Sequence, residues 1–388
     1  MLLNFLFFIL ISFLFVEINH LLRTHSPLIL KPKEFQKHIR GSVQKYITWV
    51  EIKNPHKSME VMIPSLKVNP QLIGISKEEI VKINTQIKPL HLDAEEYQNH
   101  DYWSAYIVKS KKSTIVRIEV EFEIQTSSVD KFKCLWIDIE WGNYGPFGFL
   151  RRFDGFSLPN SYNKTKEIHS DTNLVSPIKT HILGNLDDPI SILKFYLPIN
   201  YLPTDILTIG ESPLAIMQGN YVDYRSIYVS TLSRLLCKGF HPTSSLATAC
   251  GMQTLINISG PSRVIISLLI GVIFKIFGVK GMFYRLAGEQ ARLIDDITGT
   301  TPPYDKSIVL GPIDTKKICM QASKELNVNV AVVDVNDLGK VKILSTNNIN
   351  NIKTIKRALT SNPAGNANQQ TPLVLIRSDD QSSKSHKK

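Results

Sequence analysis

The sequence predicts an α/β C-terminal unit preceded by an all-β, sandwich-like unit and an N-terminal transmembrane helix. Three observations lead there. The chain opens on an apolar run, Met1–Val16, interrupted only by Asn4 and Ser12. Between Tyr46 and Pro159, apolar and polar residues alternate with period two, as they do in a strand with one face on a core. From Asp187 onward, strand-like runs alternate with helical ones, the rhythm of a layered α/β domain. A chain of 388 residues, 43% hydrophobic, is long enough for two folded units with ordinary cores.

The first element is a helix from Leu2 to Leu22, whose length of roughly 30 Å equals the hydrocarbon thickness of a bilayer. No Lys or Arg precedes the run, and Glu17-Ile18-Asn19-His20-Leu21 is a poor peptidase site, so an uncleaved anchor is favoured over a signal peptide. Arg23, Lys31, Lys33, Lys37, Arg40 and Lys45 follow, against Glu34 alone, which by the positive-inside rule keeps the bulk of the chain on the cytoplasmic side of a single-pass anchor. Residues 1–22 are thus read as anchor, 23–45 as basic linker and 378–388 as a disordered basic tail. The net charge of +11 suits an anionic membrane surface. Without the basic–aromatic alternation of a single-strand groove, nucleic acid is not an expected partner. The four cysteines form no C-x-x-C pair, which argues against a zinc site and a disulfide framework and for a reducing compartment.

Residues 46–160 make the β unit. Ile47–Ile52, Met59–Ile63, Ile115–Ile124 and Leu135–Trp141 are its strands, and Gly142–Gly148 is expected to break the pattern as a glycine-rich turn. Residues 161–377 make the α/β unit. It starts with a helix capped by Asp188 with Pro189 at its first position, burying Ile190, Leu193 and Leu197. Thr204–Gly210 follows as a strand, then a helix Asp314–Asn327, the strand Val328–Val335, a turn at Asn336–Gly339, a returning strand Lys340–Leu344 and a last strand Pro372–Arg377. Val264–Phe274, edged by Arg263, Lys275 and Lys280, is too short to span a bilayer and reads either as a core helix or as one lying in a membrane surface.

Three acidic clusters fall at element ends: Asp187-Asp188, Asp295-Asp296 and Asp334-Val335-Asn336-Asp337. Carboxylates at such ends suit magnesium or manganese carrying phosphates, although Asp more often caps helices and shapes turns. Thr243-Ser244-Ser245 offers donors for phosphate or carboxylate, while Ser212 and Gly219 frame a turn and helix after a strand; neither a Walker A loop nor G-x-G-x-x-G is present. His241 and Cys250 could make a base–nucleophile pair, but the residues around them offer no third group to orient it.

Several of these segments, in order from Ile178 to Arg377, resemble the coenzyme F-420 γ-glutamyl ligase family. Its acid-rich helix start is similar to Leu186-Asp187-Asp188-Pro189, and its Gly-Asp-Val-Val strand to Thr204-Asp205-Ile206-Leu207. Its Glu-Gly-Arg turn is similar to Gln218-Gly219-Asn220, and its strand-end Ser-Asp-Thr-x-Gly-Arg to Asn336-Asp337-Leu338-Gly339-Lys340. Its last motif resembles Gly365-Asn366-Ala367 through Pro372–Arg377. The resemblance implies a GTP- or ATP-dependent ligase that activates a small-molecule carboxylate as an acyl phosphate and joins it to the amine of an amino acid. On that footing Asp295, Asp296 and Asp337 are expected to share a magnesium or manganese ion, and Asp187, Asp188, Ser212 and Gly219 to bind nucleotide or substrate. A homodimer is left open. The family's Ser-Lys turn lacks its lysine in Glu211-Ser212-Pro213-Leu214, its arginine is Asn220, and an anchor and a β unit are additions to it. A catalytically degenerate module that binds or assembles at a membrane is therefore the alternative.

Overall fold

The architecture was obtained as a computed structural model that describes residues 2–21, 27–91, 102–160, 174–295, 302–335, 339–365 and 369–378. The N-terminal run is helix α1 (Leu2–Leu21), and its apolar side chains from Phe5 to Ile18, Ile9 apart, stand exposed. Its apolar stretch, Asn4–Asn19, is short, and among the described residues no single helix is long and apolar enough to cross a membrane.

Two packed sheets follow. In one, β1 (Ile29–Arg40), β2 (Val43–Lys53), β7 (Ser113–Ile124) and β5 (Ile80–Leu90) lie in the order β1-β2-β7-β5. The other joins β4 (Leu66–Ile73), β8 (Cys134–Gly145), β3 (Val61–Ile63) and β6 (Tyr106–Val108), with β9 (Gly148–Pro159) paired to β8. The alternating side chains Val116, Ile118, Val120 and Phe122 of β7 face Leu135, Ile137 and Ile139 of β8 in one buried cluster. All pairings are antiparallel, as period-two alternation requires of a sheet with one wet face.

Two expectations change here. Ile29–Arg40, within the stretch expected to be linker, is an edge strand: Leu30 and Phe35 pack on the core, Lys37 lies over the Tyr46 ring and bonds Asn160, and the exposed Lys31 and Lys33 make a charged edge that discourages further strand pairing. Gly142–Tyr144 is strand rather than turn, and the hairpin closes at Gly145 and Gly148. A Cβ on Gly142 would fall 2.4 Å from the Phe149 ring, so this glycine serves close packing inside the sheet.

The second unit is built on a mixed sheet in the order β10-β16-β11-β14-β15, from β10 (Val175–Ile178), β11 (Ile206–Gly210), β14 (Asn329–Val335), β15 (Val341–Thr346) and β16 (Leu373–Ile376). Only the β11–β14 pair in it is parallel. Helices α2 (Pro189–Tyr196), α3 (Glu211–Met217) and α8 (Thr315–Leu326) cover one face, on Leu207, Ile209, Val330 and Val332. Helix α9 (Ile352–Leu359) covers the other, on Ile206, Ala331, Val333 and Val374. The expected cap is formed: the Asp188 side chain accepts from Ser191 N–H, and Pro189 opens α2, which buries Ile192, Leu193 and Tyr196.

Between β12 (Tyr221–Asp223) and β13 (Ser307–Val309) a helical insertion has its own core. It contains α4 (Thr231–Leu236), α5 (Ala249–Ser259), α6 (Pro261–Ile276) and α7 (Met282–Ala287). At Gly260, with φ of 82°, the chain turns through 113° from α5 into α6. The β sandwich docks against this unit through polar contacts. Arg225 bonds both Asp223 and Asp138 and lies 4.2 Å from the centre of the Phe153 ring, while Tyr221 donates to the Gly155 carbonyl at 2.7 Å.

Candidate functional site

The parallel pair β11–β14 runs in register from Ile206↔Asn329 to Gly210↔Val333. Ligands of open α/β sheets gather at the carboxyl ends of such strands. Glu211 follows Gly210 at that end, as the first residue of α3, and Asp334 follows Val333. Lys342 of β15 is the register partner of Asp334. Asp295 reaches the same place from the end of the insertion, held by a bridge to Val309 and by the Ser212 hydroxyl, which donates to its Oδ2 at 2.8 Å.

Burial and the nearby charges act on these groups together. Glu211 is 7% exposed and its Oε2 has no hydrogen-bond partner. Burial, then the charges of Asp334 and Asp295, push its carboxyl up to about 8, with Lys342 pulling the other way. Asp295 is pushed up as well, chiefly by burial and then by Asp334, against the hydrogen bond from Ser212 and the charge of Lys342. Glu211 is thus a buried carboxyl with one oxygen open to a donor or a cation. Hard carboxylate and hydroxyl oxygens are donors that magnesium or manganese takes. By chemistry Glu211, Asp295 and Ser212 fit such an ion, although among the described residues no three His, Cys, Asp or Glu side chains stand close enough to chelate one.

An open cleft of about 440 Å³ lies in the insertion, with Ile294, the residue before Asp295, in its lining. Thr243, Ser244, Ser245, Tyr284 and Arg292 line it, which places the hydroxyl-rich segment beside a cation.

The expected site residues fare unevenly. Ser212 and Asp295 are brought together. Asp296 and Asp337 lie outside the described residues, as does the basic tail beyond Ser378. Asp187 is buried and accepts from Gly184 N–H at 2.8 Å, with His181 Nε2 3.0 Å from the same oxygen. Asp188 is spent on the cap of α2, and Gly219, with φ of 68°, shapes the turn after α3. These three hold local structure. His241 Nδ1 contacts the Thr243 hydroxyl at 2.9 Å. Asp334 belongs to the third acidic cluster, whereas Glu211 and Lys342 are not among the sequence candidates; the signal for Glu211 is its position directly after a strand that ends in glycine.

Residues 29–162 match the family model described as "F420-0:gamma-glutamyl ligase, N-terminal Ig-like domain". The β unit, read from the sequence as an addition to the ligase family, is thus similar to a domain described for that family, which supports the resemblance seen from Ile178 onward. No curated protein matches the chain. Among solved structures, the GAE domain of GGA2p from Saccharomyces cerevisiae is 14% identical over 36% of this chain and 96% of its own, with a TM-score of 0.21. A protein from Archaeoglobus fulgidus is 8% identical over 34% of this chain and 99% of its own, with a TM-score of 0.19.

Proposed function

We propose, from the premise that the chain is related to the F420-0 γ-glutamyl ligases, that it is a nucleotide-dependent acid–amino-acid ligase working at a membrane surface. It would join a small-molecule carboxylate to an amino acid through an acyl phosphate, with GTP or ATP as phosphate donor. The observation that carries the reading is the group of Glu211, Asp295 and Asp334 at the carboxyl ends of the parallel strands, with Glu211 buried and unpartnered on one oxygen. Magnesium or manganese at Glu211, Asp295 and Ser212 would bridge nucleotide phosphates and offset the charge that develops in transfer. The protein's own groups have the remaining roles. Lys342, the register partner of Asp334, would lower the carboxyls of Glu211 and Asp295 against the larger effect of burial. Arg292 and the Thr243–Ser245 hydroxyls line a cleft suited to a phosphate or carboxylate. Ser212 fixes the rotamer of Asp295. Helix α1 would tether the chain, with the basic residues after it on the cytoplasmic side.

The test is calorimetric titration of the full chain with GTP and with ATP, with and without manganese. Binding that needs manganese and falls at least ~10-fold in Glu211→Gln or Asp295→Asn supports the ligase. A second reading, a degenerate ligase fold acting as a membrane-tethered module, draws on Asn220 and on the lysine missing from Glu211–Leu214. Absence of nucleotide binding in the wild type would select it.

A further inference from the structure

Helix α6 is neither a core helix nor a membrane span. It is no core helix, because Val264 and Ser267 are its only fully buried side chains. It is no span either: sixteen residues give about 24 Å, short of a ~30 Å hydrocarbon core, and α5 across the 113° bend is buried in the domain. The inward face is made of small groups. Val264, Ser267 and Gly271 lie on it, and a Cβ on Gly271 would stand 3.0 Å from that of Phe283, so α6 packs tightly on α7 in one fixed rotation.

That rotation turns Ile265, Ile266, Leu269, Val272, Ile273 and Ile276 outward, with exposures from 36% at Ile265 to 78% at Ile276. At 100° per residue these six fall within an arc of about 120°, centred opposite the buried face. Arg263 and Lys275 fall near the two borders of the arc, and Phe277, Val279 and Lys280 extend it past the end of the helix. From Tyr224 to Gly288 the chain has seven Lys and Arg and no Asp or Glu. Of those seven, Arg225 is tied to Asp223 and Asp138. Arg234, Lys238, Arg263, Lys275, Lys280 and Arg285 are exposed.

We propose that α6 is an interfacial docking helix that lies in the plane of an anionic membrane. Its stripe would enter the boundary between headgroups and acyl chains, while the arginine and lysines at its borders reach the lipid phosphates. Charge selects a lipid surface over a second copy of the chain. Two copies face to face would oppose cation to cation across a region that carries no acid, whereas anionic headgroups complement it. Gly281 and Tyr284, just beyond the stripe, line the open cleft, so docking would hold the cleft mouth at the lipid surface. The proposal rests on this helix and its charge and is independent of the ligase chemistry.

The experiment uses the full chain reconstituted with vesicles of phosphatidylcholine, alone or mixed with phosphatidylglycerol. A polarity-sensitive fluorophore is placed at Leu269→Cys and, as an exposed control on α8, at Met320→Cys. In the mixed vesicles the label at 269 should shift to the blue and be quenched by iodide at least ~5-fold less than the label at 320. Lys275→Glu with Lys280→Glu should weaken the dependence on phosphatidylglycerol by at least ~10-fold. Equal quenching at both positions, in vesicles with which the chain co-floats, would overturn the proposal even if α1 is inserted. Protection at 269 that needs no vesicles and grows with protein concentration would overturn it in favour of self-association.

Discussion

Glu211 offers the most direct perturbation of the candidate site. Its carboxyl is held at about 8 against an ordinary 4.5 by burial and by Asp334 and Asp295. Between those two values the folded chain keeps a proton that the unfolded chain releases. The folded state therefore binds more protons, and its stability falls as pH rises. The contribution is fully present below about 4.5 and is lost as the pH climbs through 8. The span corresponds to up to about 5 kcal/mol, an upper bound because local rearrangement and water entry soften it. Glu211→Gln keeps the shape and removes the titration. The variant should match the wild type near pH 5 and exceed it by several degrees in thermal midpoint at pH 8.5. Manganese should reverse the order, since a cation favours the charged carboxylate and has no such hold on an amide. At pH 7 its binding to the wild type should release about one proton, seen in calorimetry as a heat that depends on the buffer. Parallel stability profiles of wild type and Glu211→Gln from pH 5 to 9 would refute the reasoning, because Glu211 would then not be held neutral by its neighbours.

Other substitutions test the frame around the site. Arg225→Ala strands Asp138 and Asp223, both buried, and should cost about 3–5 kcal/mol and split thermal unfolding into separate steps for the two units, checked by calorimetry. Asp154, pushed up to about 7 by burial and by Asp223 and Asp138, loses its stabilising proton as pH rises through 7, so Asp154→Asn should flatten the fall in stability between pH 5 and 8 measured by denaturant titration. Leu193→Ala empties the core between α2 and the sheet and should destabilise by about 2–5 kcal/mol in the same measurement. Gly251→Ala would set a Cβ 2.1 Å from the Ser245 carbonyl oxygen, and circular dichroism should report a lowered midpoint as the insertion loosens.

Much of this molecule was legible wherever the information is local. Period-two alternation located β2, β3, β7 and β8, because a pleated strand repeats its environment every second residue. Asp188-Pro189 announced α2, since an N-cap and a proline satisfy the helix start with neighbours in sequence. The apolar strand β14 and the helix α8 before it followed from composition and spacing. The edge strand β1 was hidden, because its lysines mask a pattern of only two inward side chains. The long insertion was read mainly through α6, whose run is equally apolar whether buried or bare. Rotation about its axis decides between those outcomes, and the packing of Gly271 on Phe283 sets that rotation. The site depends most on tertiary structure. Sequence alone supplied acids at element ends, three clusters of similar appearance. The parallel register of β11 with β14 sets Glu211 beside Asp334, the bridge to Val309 brings in Asp295, and α2 takes Asp188 as a cap. A carboxylate's role depends on burial and on the charges around it, and residues distant in the sequence supply both.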